Sequence, residues 1–258
     1  MVRILIGLLL ASAAWLLAFR ASSPIILGTV AILALLALRE YFGILVESGM
    51  RPYPTLGYAG ALVWLLCPNL DRALFSSLYL VLLLGTGVLA GRPIQSVLPS
   101  AAVTAAGVVY IAGPLLWGML LHDLSPHWLV FALVVTAVGD TIALAVGKTI
   151  GRRSIAPVVS PSKTWEGTIA SVVVGPTAGS AYAAVFLAGE IGNMEAMVLA
   201  LVINVFGQMG DLAESALKRT AEMKNSGKLL PGHGGVLDRI DGLLFALPAL
   251  YGYLQFLR

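Results

Sequence analysis

Gly210–Asp241 reads GDLAESALKRTAEMKNSGKLLPGHGGVLDRID, the densest polar stretch of a chain that is otherwise largely apolar. It holds five of the sixteen Lys and Arg residues (Lys218, Arg219, Lys224, Lys228, Arg239), five acids (Asp211, Glu214, Glu222, Asp238, Asp241) and His233. Charges of both signs beside a glycine-rich turn, with apolar runs on either side, point to a phosphate-and-metal site at a membrane surface. Asp211, Ser215 and Lys218 recur at helical spacing, so one face presents an acid, a hydroxyl and a base, with Glu214 at its border. Asn225-Ser226-Gly227 and Pro231-Gly232-His233-Gly234-Gly235 then interrupt the helix. Glycines there let backbone amides approach a phosphate that side chains would block. Asp238 and Asp241 lie three apart and share a face if a last span begins near them. The plain alternative is a salt-bridged juxtamembrane loop, which leaves the Gly-His-Gly-Gly run without a purpose.

The surrounding composition sets the class. Of 258 residues, 59% are hydrophobic and 11% charged, against about 25% charged in soluble domains. The expectation is an all-α, polytopic integral membrane protein. A net charge of +3 reads as loop placement against anionic lipid and phosphate, with no nucleic-acid partner. The single cysteine, Cys67, excludes an intrachain disulfide and a cysteine metal cluster.

A spanning helix takes roughly 20 apolar residues. Nine candidates follow: Ile4–Phe19, Pro24–Leu38, Leu56–Cys67, Ala73–Ala90, Leu98–Leu121, Trp128–Val146, Thr168–Leu187, Ala196–Gly210 and Gly242–Leu257. The first is expected to be retained as a span, not cleaved as a signal. The third is marginal, and the eighth is expected to continue as a helix beyond the apolar boundary. Pro114 and Pro176 should kink their helices without breaking them. With a cytoplasmic N-terminus, all of the sixteen Lys and Arg residues except Arg20, Arg72 and Arg258 fall inside. This predicts a single membrane domain, 1–258, with a polar site at the cytoplasmic face. Residues 1–121 are mostly scaffold, and 122–258 carry the catalytic helices and loops.

Two upstream features join the polar stretch. Asp140 lies near the cytoplasmic end of the sixth span, where an acid costs enough to need a partner or water, and a site role is expected. The loop Lys148–Gly167, KTIGRRSIAPVVSPSKTWEG, offers Arg152, Arg153 and Lys163 for phosphate oxygens. Ser162 or Thr164, followed by Glu166, is placed to cap the seventh span and aim its first amides at an anion. Oxygen-only acids suit Mg²⁺, which takes a few carboxylates plus water and substrate phosphate. Asp211 and Asp238 are expected to close on one ion from two helices. The Gly-His-Gly-Gly setting of His233 favours ligand contact over a structural role.

With those residues in place, the sequence resembles the phosphatidate cytidylyltransferases, or CDP-diacylglycerol synthases. The family signature is matched by Ser215, Leu217, Lys218, Arg219, Lys224, Gly227, Leu230, Pro231, His233, Gly234, Gly235, Val236, Asp238, Arg239, Ile240 and Asp241. Ser160–Gly167 is similar to the family's Ser-Pro-x-Lys-Thr-x-Glu-Gly loop. One departure is Asn225, where the pattern has Asp, and an amide cannot neutralise a cation as a carboxylate does. The resemblance implies transfer of a cytidylyl group from CTP to phosphatidate with Mg²⁺, giving CDP-diacylglycerol and pyrophosphate, at a bacterial inner membrane. It implies metal ligation by Asp211 and Asp238, with Asp241 as an additional or outer ligand. Lys218, Arg219, Lys224 and Arg239 would hold triphosphate and pyrophosphate. Lys163 with Ser160, Ser162, Thr164 and Glu166 would take nucleotide or lipid phosphate, and Asp140, Ser215, His233, Gly234 and Gly235 complete the substrate site. A second cation and a homodimer are left open. The rival readings are a CTP-dependent polyprenol or lipid kinase and, from a different class, an ion-coupled transporter.

Overall fold

The computed structural model describes residues 12, 14–67, 69–229 and 234–256. Within them the chain is helical apart from one short hairpin. The helices are α1 (Ser23–Glu47), α2 (Pro54–Leu66), α3 (Arg72–Leu89), α4 (Ile94–Leu124), α5 (Pro126–Thr149), α6 (Trp165–Phe186), α7 (Asn193–Thr220) and α8 (Leu237–Phe256). Residues 14–20 are also helical, and the rest of the first expected span lies outside the described residues.

Six helices, α1 and α3 to α7, are long and apolar enough to cross a membrane, and the chain is an integral membrane protein. At 1.5 Å per residue, the 13 residues of α2 reach only about 20 Å of the ~30 Å hydrocarbon core. The marginal third span is thus a short apolar helix. Conversely, α1 runs two turns beyond the expected Leu38, carrying Arg39, Glu40 and Glu47 with it. The apolar run stops there but the hydrogen-bonded helix does not. Pro114 and Pro176 sit inside unbroken helices, as expected. Along α3, Leu74, Leu78, Val81 and Leu82 stay exposed on the protein surface, an apolar stripe suited to lipid.

The hairpin is the one departure from an all-helical chain. Strand β1 (Ser154–Ala156) pairs antiparallel with β2 (Ser160–Thr164), in the register Ser154 to Thr164 and Ala156 to Ser160, with an irregularity between the two pairs. Pro157 follows β1 and Pro161 lies in β2, and a two-stranded edge tolerates proline.

Two compact units emerge, and neither is a contiguous half. One comprises 1–21, 117–216 and 239–258, the other 22–116 and 217–238. In the first, Phe131, Val135, Leu187, Leu199, Ile203, Leu247 and Leu250 belong to one buried core. There α7 and α8 cross backbone to backbone: a Cβ at Gly210 would collide with the carbonyl oxygen of Asp241. Close crossing of this kind needs small residues, and it brings Asp211 and Asp241 to the same end of the two helices. In the second unit, Tyr41 donates to the carbonyl of Val103 (3.0 Å) and Tyr79 to that of Leu56 (3.0 Å), tying α1 to α4 and α3 to α2.

Candidate active site

In the first unit, four elements line one cavity of about 230 Å³, with Thr168 contributed by α6. Asp140 comes from α5, Ser160, Ser162, Lys163 and Thr164 from β2, and Gln208 and Asp211 from α7. Lys163 Nζ lies 2.6 Å from Asp211 Oδ2, and both side chains keep part of their surface open, 24% and 33% respectively. The charges of Asp211, Lys163 and Arg239 all bear on Asp140. Those of Asp211, Glu214 and Asp140 bear on Asp241, whose Oδ1 accepts from the Gly242 amide (2.9 Å). Asp140 is thus part of a charged cluster and not a stray acid ending a span.

The hairpin explains how Lys163 gets there. Thr164 is the N-cap of α6, its hydroxyl accepting from Gly167 N (3.2 Å), one of the two caps expected. Glu166 does not line the cavity. Its Oε2 accepts from the amides of Arg152 (3.1 Å) and Arg153 (3.4 Å), while Trp165 N donates to Arg153 O (2.9 Å). The carboxylate thereby folds the 151–153 turn onto the start of α6 and braces the strand that presents Lys163. Arg152 and Arg153 are exposed.

Beneath the cavity lies a polar cluster that hydropathy does not reveal. Gln208 Nε2 donates to Asn204 Oδ1 (2.7 Å) and Ser171 Oγ (3.3 Å), and Asn204 Nδ2 donates to Ser171 Oγ (3.2 Å). Ser171 and Asn204 are buried. Buried amides inside an apolar helix are costly unless satisfied in this way. The signal present in the sequence was an Asn and a Gln four apart in an apolar run.

The second unit holds the other half of the expected residues. Lys218 Nζ lies 2.6 Å from Asp238 Oδ1, both side chains buried to 10% and 7% exposure. Asp238 Oδ2 accepts from Ser226 N (2.9 Å), Ser226 Oγ (3.0 Å) and Gly235 N (2.8 Å). Burial pushes the Asp238 carboxyl up, but the Gly235 amide, Lys218 and the Ser226 amide outweigh it and hold it below the usual value of 3.8. Arg219 donates to Met223 O (2.8 Å), and Lys224 and Asn225 are exposed. Gly234 takes φ +83°, open to glycine at little cost. Ser215, buried on α7, and Arg239, exposed on α8, belong instead to the first unit. His233 lies outside the described residues.

Asp211 and Asp238 belong to different units, and each has its own lysine. Among the described residues no three His, Cys, Asp or Glu side chains form a ready-made metal cage. Magnesium does not need one, since it takes one or two carboxylates and completes its shell with water and phosphate. Asp140 and Asp211, which line the cavity together, fit that requirement: they offer oxygen only, and Asp211 already holds a cation in the Lys163 ammonium. Asp238 can serve as a ligand only if Lys218 or an amide gives way.

A model of the family described as the cytidylyltransferase family matches residues 1–257. Relatives named phosphatidate cytidylyltransferase include that of Bacillus subtilis (strain 168), 42% identical over 124 residues, 48% of this chain and 46% of the relative. The Brucella melitensis protein is 41% identical over 150 residues, covering 57% and 55%. The Helicobacter pylori protein is 37% identical over 199 residues, covering 70% and 73%. The match thus spans about half the length of the first two relatives.

Proposed function

The chain belongs to the cytidylyltransferase family, and from that premise we propose that it transfers the cytidylyl group of CTP to phosphatidate within the bilayer. The observation that carries this reading is the shared cavity of Asp140, Lys163 and Asp211. It sets an ammonium for a phosphate beside acids for a cation, in a protein otherwise built of apolar helices.

In the reaction, an oxygen of the lipid phosphate attacks the α-phosphorus of CTP, the new O–P bond forms in line, and the bond to the β-phosphate breaks to release pyrophosphate. A phosphate monoester is largely dianionic at pH 7, its second pKa being about 6, so no base is required. Two anions must meet, so positioning and charge neutralisation are the main demands on the protein. Lys163 neutralises phosphate charge at the cavity. Ser160, Ser162 and Thr164 supply hydroxyls along its wall. Arg239, in the same unit, is an exposed cation for the triphosphate. Mg²⁺ held by Asp211 with Asp140 would supply further charge neutralisation. The Lys and Arg distribution supports a site facing the cytoplasm.

The test is purified protein with phosphatidate vesicles and CTP labelled in the cytidine or, separately, in the γ-phosphate. Cytidine label in the extracted lipid with stoichiometric pyrophosphate is expected. Lipid labelled from the γ-phosphate, with CDP released, would make the chain a lipid kinase. No labelled lipid from either would remove the transferase reading.

A further inference from the structure

Glu40 stands on α1, far in sequence from the polar stretch, in the part of the chain expected to be scaffold. Its carboxylate reaches the glycine loop. Oε1 accepts from Val236 N (2.9 Å), and Oε2 accepts from Leu237 N (2.8 Å) and Ser226 Oγ (2.8 Å). A Cβ at either Gly227 or Gly235 would collide with this carboxylate. The two glycines therefore make room for an acid of the chain itself. The amides at the start of α8 are donors without helical partners, and Glu40 takes those of Val236 and Leu237.

The contact extends further. Ser226 Oγ also lies 3.0 Å from Asp238 Oδ2 and accepts from Asp238 N (3.3 Å). One hydroxyl carries one proton, so Ser226 donates to one carboxylate while lying against the other. The result is a continuous series from Glu40 through Ser226 to Asp238 and Lys218, inside one compact unit.

We infer that Glu40 is a positioning residue for the cytidylyl transfer: by holding the Val236 and Leu237 amides and the Ser226 hydroxyl, it fixes the Asp238 carboxylate and hence the Lys218 ammonium. This rests on the transferase reading above. Glu40 touches no reacting atom. Its effect belongs to the geometry reached in the transition state, not to substrate affinity.

Glu40→Gln tests it. The amide group brings an N–H toward donors that need an acceptor, so at least one charge-assisted bond is lost, worth about tenfold or more in an equilibrium. Hydrogen exchange of the purified protein should show residues 226–238 exchanging about tenfold faster, with α1 unchanged. In the CTP assay kcat should fall about tenfold while KM for CTP stays within about twofold. Glu47→Gln, an exposed acid seven residues along the same helix, should change neither readout. If exchange is unaltered, the clamp is wrong. If exchange quickens and kcat is kept, Glu40 is structural and the positioning role fails. Should Glu40→Gln not accumulate, Ser226→Ala carries the same test, with the same split between kcat and KM expected and an equal change in both overturning it. If wild-type protein makes no CDP-lipid while the exchange difference persists, the transferase reading falls and the clamp alone stands.

Discussion

Two lysine–aspartate pairs, one in each unit, share a separation of 2.6 Å and differ in everything around it. Lys163–Asp211 is partly open, lines a cavity and has further acids nearby. Lys218–Asp238 is buried, and the Ser226 and Gly235 amides hold the second carboxylate oxygen, with the Ser226 hydroxyl against it. The ion-pair distance alone therefore carries no functional information. An open pair can exchange its lysine for water, substrate or metal at small cost, because exposed pairs contribute ~1 kcal/mol or less. A buried pair cannot, because losing one partner strands a desolvated charge. The first pair is open to exchange and the second is closed to it.

This contrast can be broken in several ways. The largest effect is expected at the buried pair: Lys218→Ala should cost about 3–5 kcal/mol of stability, read as a shift in thermal unfolding in detergent. A wild-type unfolding curve would put this pair in the same class as the open one. Asp211→Asn should do the reverse. It should leave the unfolding temperature nearly unchanged and lower CDP-lipid formation about 10²–10³-fold, with the residual rate no longer rising with Mg²⁺. Full activity would remove Asp211 from the reaction. Gly210→Ala sharpens the comparison from the scaffold side. Its methyl group pushes α7 from the Asp241 carbonyl, so about 1–3 kcal/mol of stability should be lost along with part of the activity.

The smallest effect concerns pH. The Asp238 carboxyl is held below 3.8 in the folded protein. Its stabilisation is therefore complete above the unfolded value and is lost only as pH falls through the lower folded value. The difference in unfolding temperature between wild type and Asp238→Asn should be flat from about pH 5 to 8 and shrink below about pH 4. A slope near neutrality would mean the carboxyl is not clamped as described.

Much of this arrangement was legible in the residues. The charged stretch between apolar runs, the cap at Thr164 and the passage of α7 beyond its apolar boundary follow from local pattern and residue chemistry; the grouping of Lys163 with Asp140 and Asp211 does not. Other features were not. Residues 154–164 contain too few residues per strand to announce a hairpin. Asn204 and Gln208 vanish in a hydropathy average. Glu40 lies just past the expected end of the second span at Leu38, and nothing in that position ties it to Ser226, Val236 or Leu237.

By itself, the sequence determined the membrane class, most helix positions, the family and the residue types that meet phosphate, because these depend on short-range periodicity and composition. Tertiary structure decided which lysine serves which aspartate, and that the glycine loop makes room for Glu40. The physical reason is that a carboxylate's partner is whichever donor the packed helices bring within about 3 Å, and that proximity has no trace in the spacing along the chain.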